Sequence, residues 1–139
     1  NLFPMAYKIE QIEGIGESYA RKLESIGIST TEQLLTVCAK KSGREKVSEQ
    51  TGISEKLILK WTNHADLFRI KGVAGQFAEL LEAAGVDTVK EFRHRVAANL
   101  YPRFVEVNGQ KHLCGRVPSE TELAGMIEQA KELPPIVTY

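Results

Sequence analysis

Two short glycine turns carry the residues whose types and spacing point most directly to chemistry. Gly14-Ile15-Gly16 stands where a helix begins, and Gly72-Val73-Ala74-Gly75, preceded by Lys71, stands in the same relation to a second helix 58 positions later. Glycines in such a turn let the backbone approach a phosphate oxygen, and amides at a helix start point at it from the positive end of the macrodipole. Nearby cations strengthen that contact without reading base sequence. The candidate nucleic-acid-binding residues are therefore Gly14, Ile15, Gly16, Arg21 and Lys22 in the first turn, and Lys71, Gly72, Val73, Ala74 and Gly75 in the second. Each copy lacks something. Glu13 and Glu17 flank the intact glycine pair of the first and compete with a phosphate for the same dipole end. In the second, Lys71 and Gly75 replace those glutamates, but Ala74 takes the second glycine position, and Gly75 serves in its place if the register shifts by one. On charge, Lys71 and Gly75 are the first place to look. The plainer alternative is that both turns only join packed helices.

Other chemistry finds little support. His64, His94 and His112 are far apart and lack the spacing of a metal or nucleophile motif, so surface or cap roles are expected. Asp66 and Asp87 read as helix-end residues, and no hydrolytic carboxylate pair stands out. "GIGESYA" follows no strand and lacks the Lys-Ser/Thr ending of a nucleotide loop. No catalytic residue, metal site or cofactor is expected. Trp61, at helical spacing from Ile58, Ala65 and Phe68, reads as core. Cys38 and Cys114 have no paired-cysteine pattern, which fits a reduced, cytosolic protein without a structural disulfide.

Charge narrows the field further. Eighteen Lys and Arg balance eighteen Asp and Glu in 139 residues, so any attraction to nucleic acid must come from local patches. Lys90, Arg93, Arg95, Arg103, Lys111 and Arg116 face only Glu91 and Glu106 within residues 90–116. A smaller surplus falls in residues 36–60, and residues 117–139 are acidic. The alternative is that these are ordinary solvated helix surfaces. No apolar run is long enough to span a bilayer, so no membrane partner is expected. Asn1-Leu2-Phe3-Pro4, ahead of Met5, reads as an expression remnant.

The elements that must position the turns form a duplication. At an offset of 58, "IEGIGESYARKLESIGISTTEQLL" lies on "IKGVAGQFAELLEAAGVDTVKEFR" without a gap. After each turn one helical face is apolar, through Ile15, Tyr19, Ala20, Leu23 and Ile26 in the first copy and Val73, Phe77, Ala78, Leu81 and Ala84 in the second. Gly27 and Gly85 suit the left-handed residue that closes a helix. Thr30 with Gln33, and Thr88 with Glu91, read as capping boxes that open second helices. Ser42 with Glu45 opens a helix to about Gly52, and Ser54 caps another to about Leu67. A helix over about Asn99 to Gln110 places Pro102 in its first turn, and Ser119 with Glu122 caps a last helix to Leu133. The fold class is all-α: two pseudo-repeats of short helices, about 7–69 and about 70–133, in one domain over 5–139. The tail 134–139, "PPIVTY", is extended and too apolar to be free, so it packs back on the domain or docks in a groove of a second copy.

Residues 57–85, "LILKWTNHADLFRIKGVAGQFAELLEAAG", resemble the helix-hairpin-helix motif of DNA repair and recombination proteins. The layout "GIG…GI.T…LL" also resembles the small helical domains that end the bacterial RNA polymerase alpha subunit and begin RecA-like recombinases. More closely, the two repeats and the closing "ELPPIVTY" are similar to the bacterial family named domain of unknown function 4332, over residues 7 to 139. That resemblance implies a helix-hairpin-helix fold and brings no activity. The expectation is a non-enzymatic domain that binds DNA without base specificity, with a protein-interaction or scaffolding module as the alternative.

Overall fold

The computed structural model describes residues 7–139, and the remnant read at residues 1–4 lies outside them. Among the described residues the secondary structure is helical, with one isolated antiparallel bridge between Lys8 and Thr30 and no strand. A 3-10 turn over Ile9–Gln11 leads into α1 (Glu17–Glu24), α2 (Thr31–Cys38), α3 (Lys41–Thr51), α4 (Glu55–Leu67), α5 (Gly75–Ala83), α6 (Val89–Phe92), α7 (Ala97–Lys111) and α8 (Glu120–Glu132).

Among the described residues, four of the eight α-helices start on a side-chain cap. The Thr30 hydroxyl accepts from the Gln33 amide at 3.1 Å while the Gln33 side chain accepts from the Thr30 amide at 3.2 Å. Ser119 and Glu122 make the same reciprocal pair at α8, and Ser54 caps α4. Three expectations need correction. Thr88 accepts from the Glu91 amide, but the Glu91 carboxylate turns one helical turn on to Arg95, at 3.0 Å, so that box is half made. Ser42 caps nothing: α3 begins at Lys41, which puts Ser42 inside the first turn. α7 begins at Ala97, so Pro102 lies in its second turn, where its ring nitrogen cannot donate to the carbonyl four residues back.

α4 organises the interior. It packs against α2, α3 and α5, and α5 in turn reaches α7, while α8 lies on α6 and α7. Its residues from Trp61 to Leu67 are all buried, which an amphipathic surface helix would not show. Trp61 is core as expected, edge-on to Tyr19 with ring centroids 4.9 Å apart. Phe77 of α5 meets Phe104 of α7 at 5.7 Å. Buried apolar residues from Ile9 to Val137 form one continuous cluster.

The tail packs on the chain's own helices. Val137 is buried, Thr138 donates its amide to the Ala39 carbonyl at 2.9 Å, and Tyr139 hydroxyl and Asn63 Oδ1 are 3.5 Å apart. Two arginines, both nearly inaccessible, hold its backbone. Arg44 donates to the Thr138 carbonyl at 2.7 Å and Arg69 to the Pro134 carbonyl at 2.6 Å. No helix among the described residues is long and apolar enough to cross a membrane.

Candidate functional site

Both turns are built alike. The Ile15 amide donates to the Ile12 carbonyl at 3.2 Å and the Val73 amide to the Ile70 carbonyl at 3.1 Å. Gly14 and Gly72 sit third in these four-residue turns with φ of +93° and +94°, the left-handed conformation that a type II turn demands there and that glycine adopts without steric cost. The following helices also end alike: Ile28 donates back to the Leu23 carbonyl and Val86 to the Leu81 carbonyl, across Gly27 and Gly85, the bonding of a Schellman close.

The register does not shift between the copies. Gly16 and Ala74 are the N-caps of α1 and α5, both in extended conformations with negative φ. Alanine is at ease there, so Ala74 needs no relief from Gly75. Gly75 is instead the first helical residue and is buried. A Cβ on it would stand 2.6 Å from the Gln11 carbonyl oxygen and 2.9 Å from Glu13 Oε1. Its glycine is required by close approach of the first turn, not by a ligand.

The surroundings of the two turns then diverge. At the second, the Lys71 amide donates to Gln129 Oε1 of α8 at 2.9 Å, and Gly72 lies against the Met126 methyl. The Glu13 carboxylate, beside Gly75, sits at the start of α5, where a negative charge meets the positive end of the helix. A cleft of about 410 Å³ opens there, lined by Glu13, Gly72, Ala74, Gly75, Gln76 and Arg116. Arg116 grips Glu122 with both guanidinium nitrogens at 2.9 Å, and that grip holds the Glu122 carboxyl down to about 2.

The first turn is barer. Ile15 packs in the core, but Gly14 and Gly16 are exposed, and a Cβ on Gly16 would meet nothing within 4 Å. No side chain caps α1. Of the two carboxylates expected to crowd this site, Glu13 leans towards α5, while Glu17 stays in the first turn of α1 and is ion-paired there with Arg21. Lys22 is exposed, and none of the acidic side chains described pairs with it.

Much of the basic surplus is spent inside the chain. Arg44 is buried and bonded to the carbonyls of Cys38 and Ala39 as well as the tail. Arg93 donates to the Lys131 carbonyl, Arg95 to Glu91 and the Gly85 carbonyl, and Arg103 pairs with Glu106.

The histidines divide. His94 is exposed and His112 ends α7 with φ +53°, as surface and cap roles require. His64 contradicts that expectation: it is fully buried, because the second half of α4 is covered on every side, and its Nε2 lies 3.3 Å from Glu82 Oε2. That contact, chiefly by hydrogen bonding, pulls the Glu82 carboxyl below its ordinary value. Asp66 is a helix-end residue of unexpected importance. Its carboxylate accepts from Arg69 at 2.7 Å and from the Val89 amide, the first of α6, at 2.8 Å. Burial pushes Asp66 up against the pull of both donors. Burial, and after it the like charges of Glu82 and Glu91, push Asp87 up. Arg69 was not legible as a site residue, although a cation inside the run "ADLFRIKGV" three places after Asp66 is its local signal.

A family model described as Domain of unknown function (DUF4332) matches residues 13–133. The chain belongs to that family. No curated protein and no solved structure matches it.

Proposed function

We propose that this DUF4332 protein is a non-enzymatic helix-hairpin-helix module that binds the sugar-phosphate backbone of DNA without base specificity. The first hairpin, Gly14-Ile15-Gly16 with the opening amides of α1, is the contact, aided by Lys22. One observation carries the reading: α1 starts at an exposed glycine turn with no side-chain cap, where Glu13 leans to α5 and the charge of Glu17 is met by Arg21. Lys71 adds a second cation, since its side chain is exposed although its amide is engaged.

The test exploits Gly16. Its φ of −84° and ψ of −174° suit an N-cap aspartate, and its surroundings are open. Gly16→Asp should therefore keep or slightly raise stability while filling the phosphate's place with a carboxylate. Fluorescence anisotropy should detect weak binding of duplex or single-stranded DNA at low salt. For two or three phosphates on a duplex, log K should fall with log salt at a slope of about −2 to −3. Gly16→Asp and Lys22→Glu should each weaken binding with thermal stability kept. No binding at low salt, or unchanged binding by Gly16→Asp, would sink the reading.

A protein-interaction role is the second reading, favoured by the second hairpin. That turn seats against α8 through Gln129 and Met126, so in this chain a glycine hairpin also serves as a joint between helices. This reading expects partner association that is insensitive to salt and unaffected by Lys71→Glu.

A further inference from the structure

Away from both hairpins, His64 on α4 and Glu79 and Glu82 on α5 converge. One ligand atom from each lies within 4.8 Å of the other two. Glu79 and Glu82, three residues apart, share a helix face, and His64 approaches that face from the buried side. A tetrahedral ion that holds N and O ligands at about 2.0–2.1 Å spaces them about 3.3–3.4 Å apart. His64 and Glu82 already stand 3.3 Å apart. Glu79 must close by at most about 1.5 Å to meet the same spacing, within reach of a side-chain rotation.

A cation already occupies the gap. Lys60 Nζ is 3.6 Å from Glu79 Oε1 and 3.6 Å from Glu82 Oε1, on a side chain 39% exposed. It can withdraw to solvent. A cleft of about 370 Å³, lined in part by Lys60, Asn63, Glu82 and Asp87, opens the Glu82 and Lys60 side of the cluster to solvent and places a third carboxylate, Asp87, beside it.

We infer that His64, Glu79 and Glu82 form a binding site for a divalent transition-metal ion of the zinc class, with Lys60 as the internal counter-ion that the metal displaces. The imidazole selects the class, since magnesium and calcium prefer oxygen ligands alone. The ion sits on Nε2, which moves the ring proton to Nδ1, a buried atom with no hydrogen-bond partner. Ligating histidines normally anchor through that second nitrogen, and losing such support costs about 10–100-fold in affinity. Taken from the weak end of structural zinc affinities, that loss puts the site in the micromolar range.

Calorimetric titration of the chelator-stripped full chain with zinc tests this. One saturable site of micromolar affinity is expected, with the His64 ring signals moving in NMR and no matching response to magnesium. Glu79→Gln and Glu82→Gln, both on the accessible side, should each weaken binding at least about ten-fold. Lys60→Met should tighten it, which a purely structural ion-pair network would not do. The variant His94→Asn/His112→Asn/Cys114→Ser should bind as the parent does. Absence of saturable binding, abolition in that last variant, or unchanged or weakened binding by Lys60→Met would overturn the inference.

Discussion

Removing the Arg69 guanidinium is the perturbation whose cost the structure defines best. Arg69 and Asp66 are 2% and 1% exposed, so solvent screens their interaction little. Arg69→Met keeps the aliphatic bulk but strands the Asp66 carboxylate and the Pro134 carbonyl, which accepts from Arg69 at 2.6 Å. Breaking one side of a buried pair costs about 3–5 kcal/mol. With an unfolding entropy of about 2.1 cal/mol/K per residue over the 139 residues, that lowers the melting midpoint by about 10–17 °C. Burial already pushes Asp66 above its ordinary value while Val89 and Arg69 pull it down; without Arg69 it rises further. The native variant then holds a proton that the unfolded chain has released. By linkage, its stability falls as pH rises through the interval between the unfolded value near 3.8 and the raised native one. Denaturant melts across pH 4–8 should show the penalty largest at neutrality and shrinking towards acid. Asp66→Asn retains an acceptor for the Val89 amide, so the double variant should lose less than the sum, by about 1–3 kcal/mol. A cost below about 1 kcal/mol, a penalty flat with pH, or strict additivity would refute the reasoning.

Two further outcomes follow from local geometry. Gly75→Ala should destabilise by about 1–3 kcal/mol, because its Cβ overlaps the Gln11 carbonyl, whereas Gly16→Ala, with open space around it, should shift the melt little. Burial pushes the Cys38 thiol up to about 11, while Cys114 is half-buried and shifted less. A thiol reagent at pH 8 should therefore modify Cys114 in the folded protein and reach Cys38 only on unfolding, and equal rates would contradict this.

What the sequence disclosed and what it hid divide along physical range. Ser54, Thr30 with Gln33, and Ser119 with Glu122 were legible because a cap and its amides lie within one turn. Gly27 and Gly85 were legible because a positive φ leaves a mark on residue type whatever surrounds it. Contacts set by tertiary placement left weaker marks. Gln129 reaches the Lys71 amide from 58 residues away, and nothing in its own neighbourhood distinguishes it from a solvated glutamine. His64 falls among polar residues, Thr62, Asn63 and Asp66, which in sequence is compatible with the surface or cap role expected of it. Only the packing of α2, α3 and α5 around α4 removes it from water.

The same limit explains why charge and packing favour different hairpins. Charge alone favours the second, with Lys71 present and glutamate absent. Yet the residue that spares its turn a glutamate is Gly75, and that position is glycine because Glu13 and the Gln11 carbonyl press against it. The carboxylate that flanks the first turn in sequence is thus the one that occupies the helix start of the second. A phosphate arriving at α5 must contend with Glu13, whereas at α1 the first-turn carboxylate, Glu17, is already paired with Arg21. Relieving the second hairpin by Glu13→Gln would test this division: it should raise DNA affinity modestly at low salt, by removing one negative charge near the α5 amides. If Gly16→Asp abolishes binding and Glu13→Gln leaves it unchanged, the first hairpin acts alone.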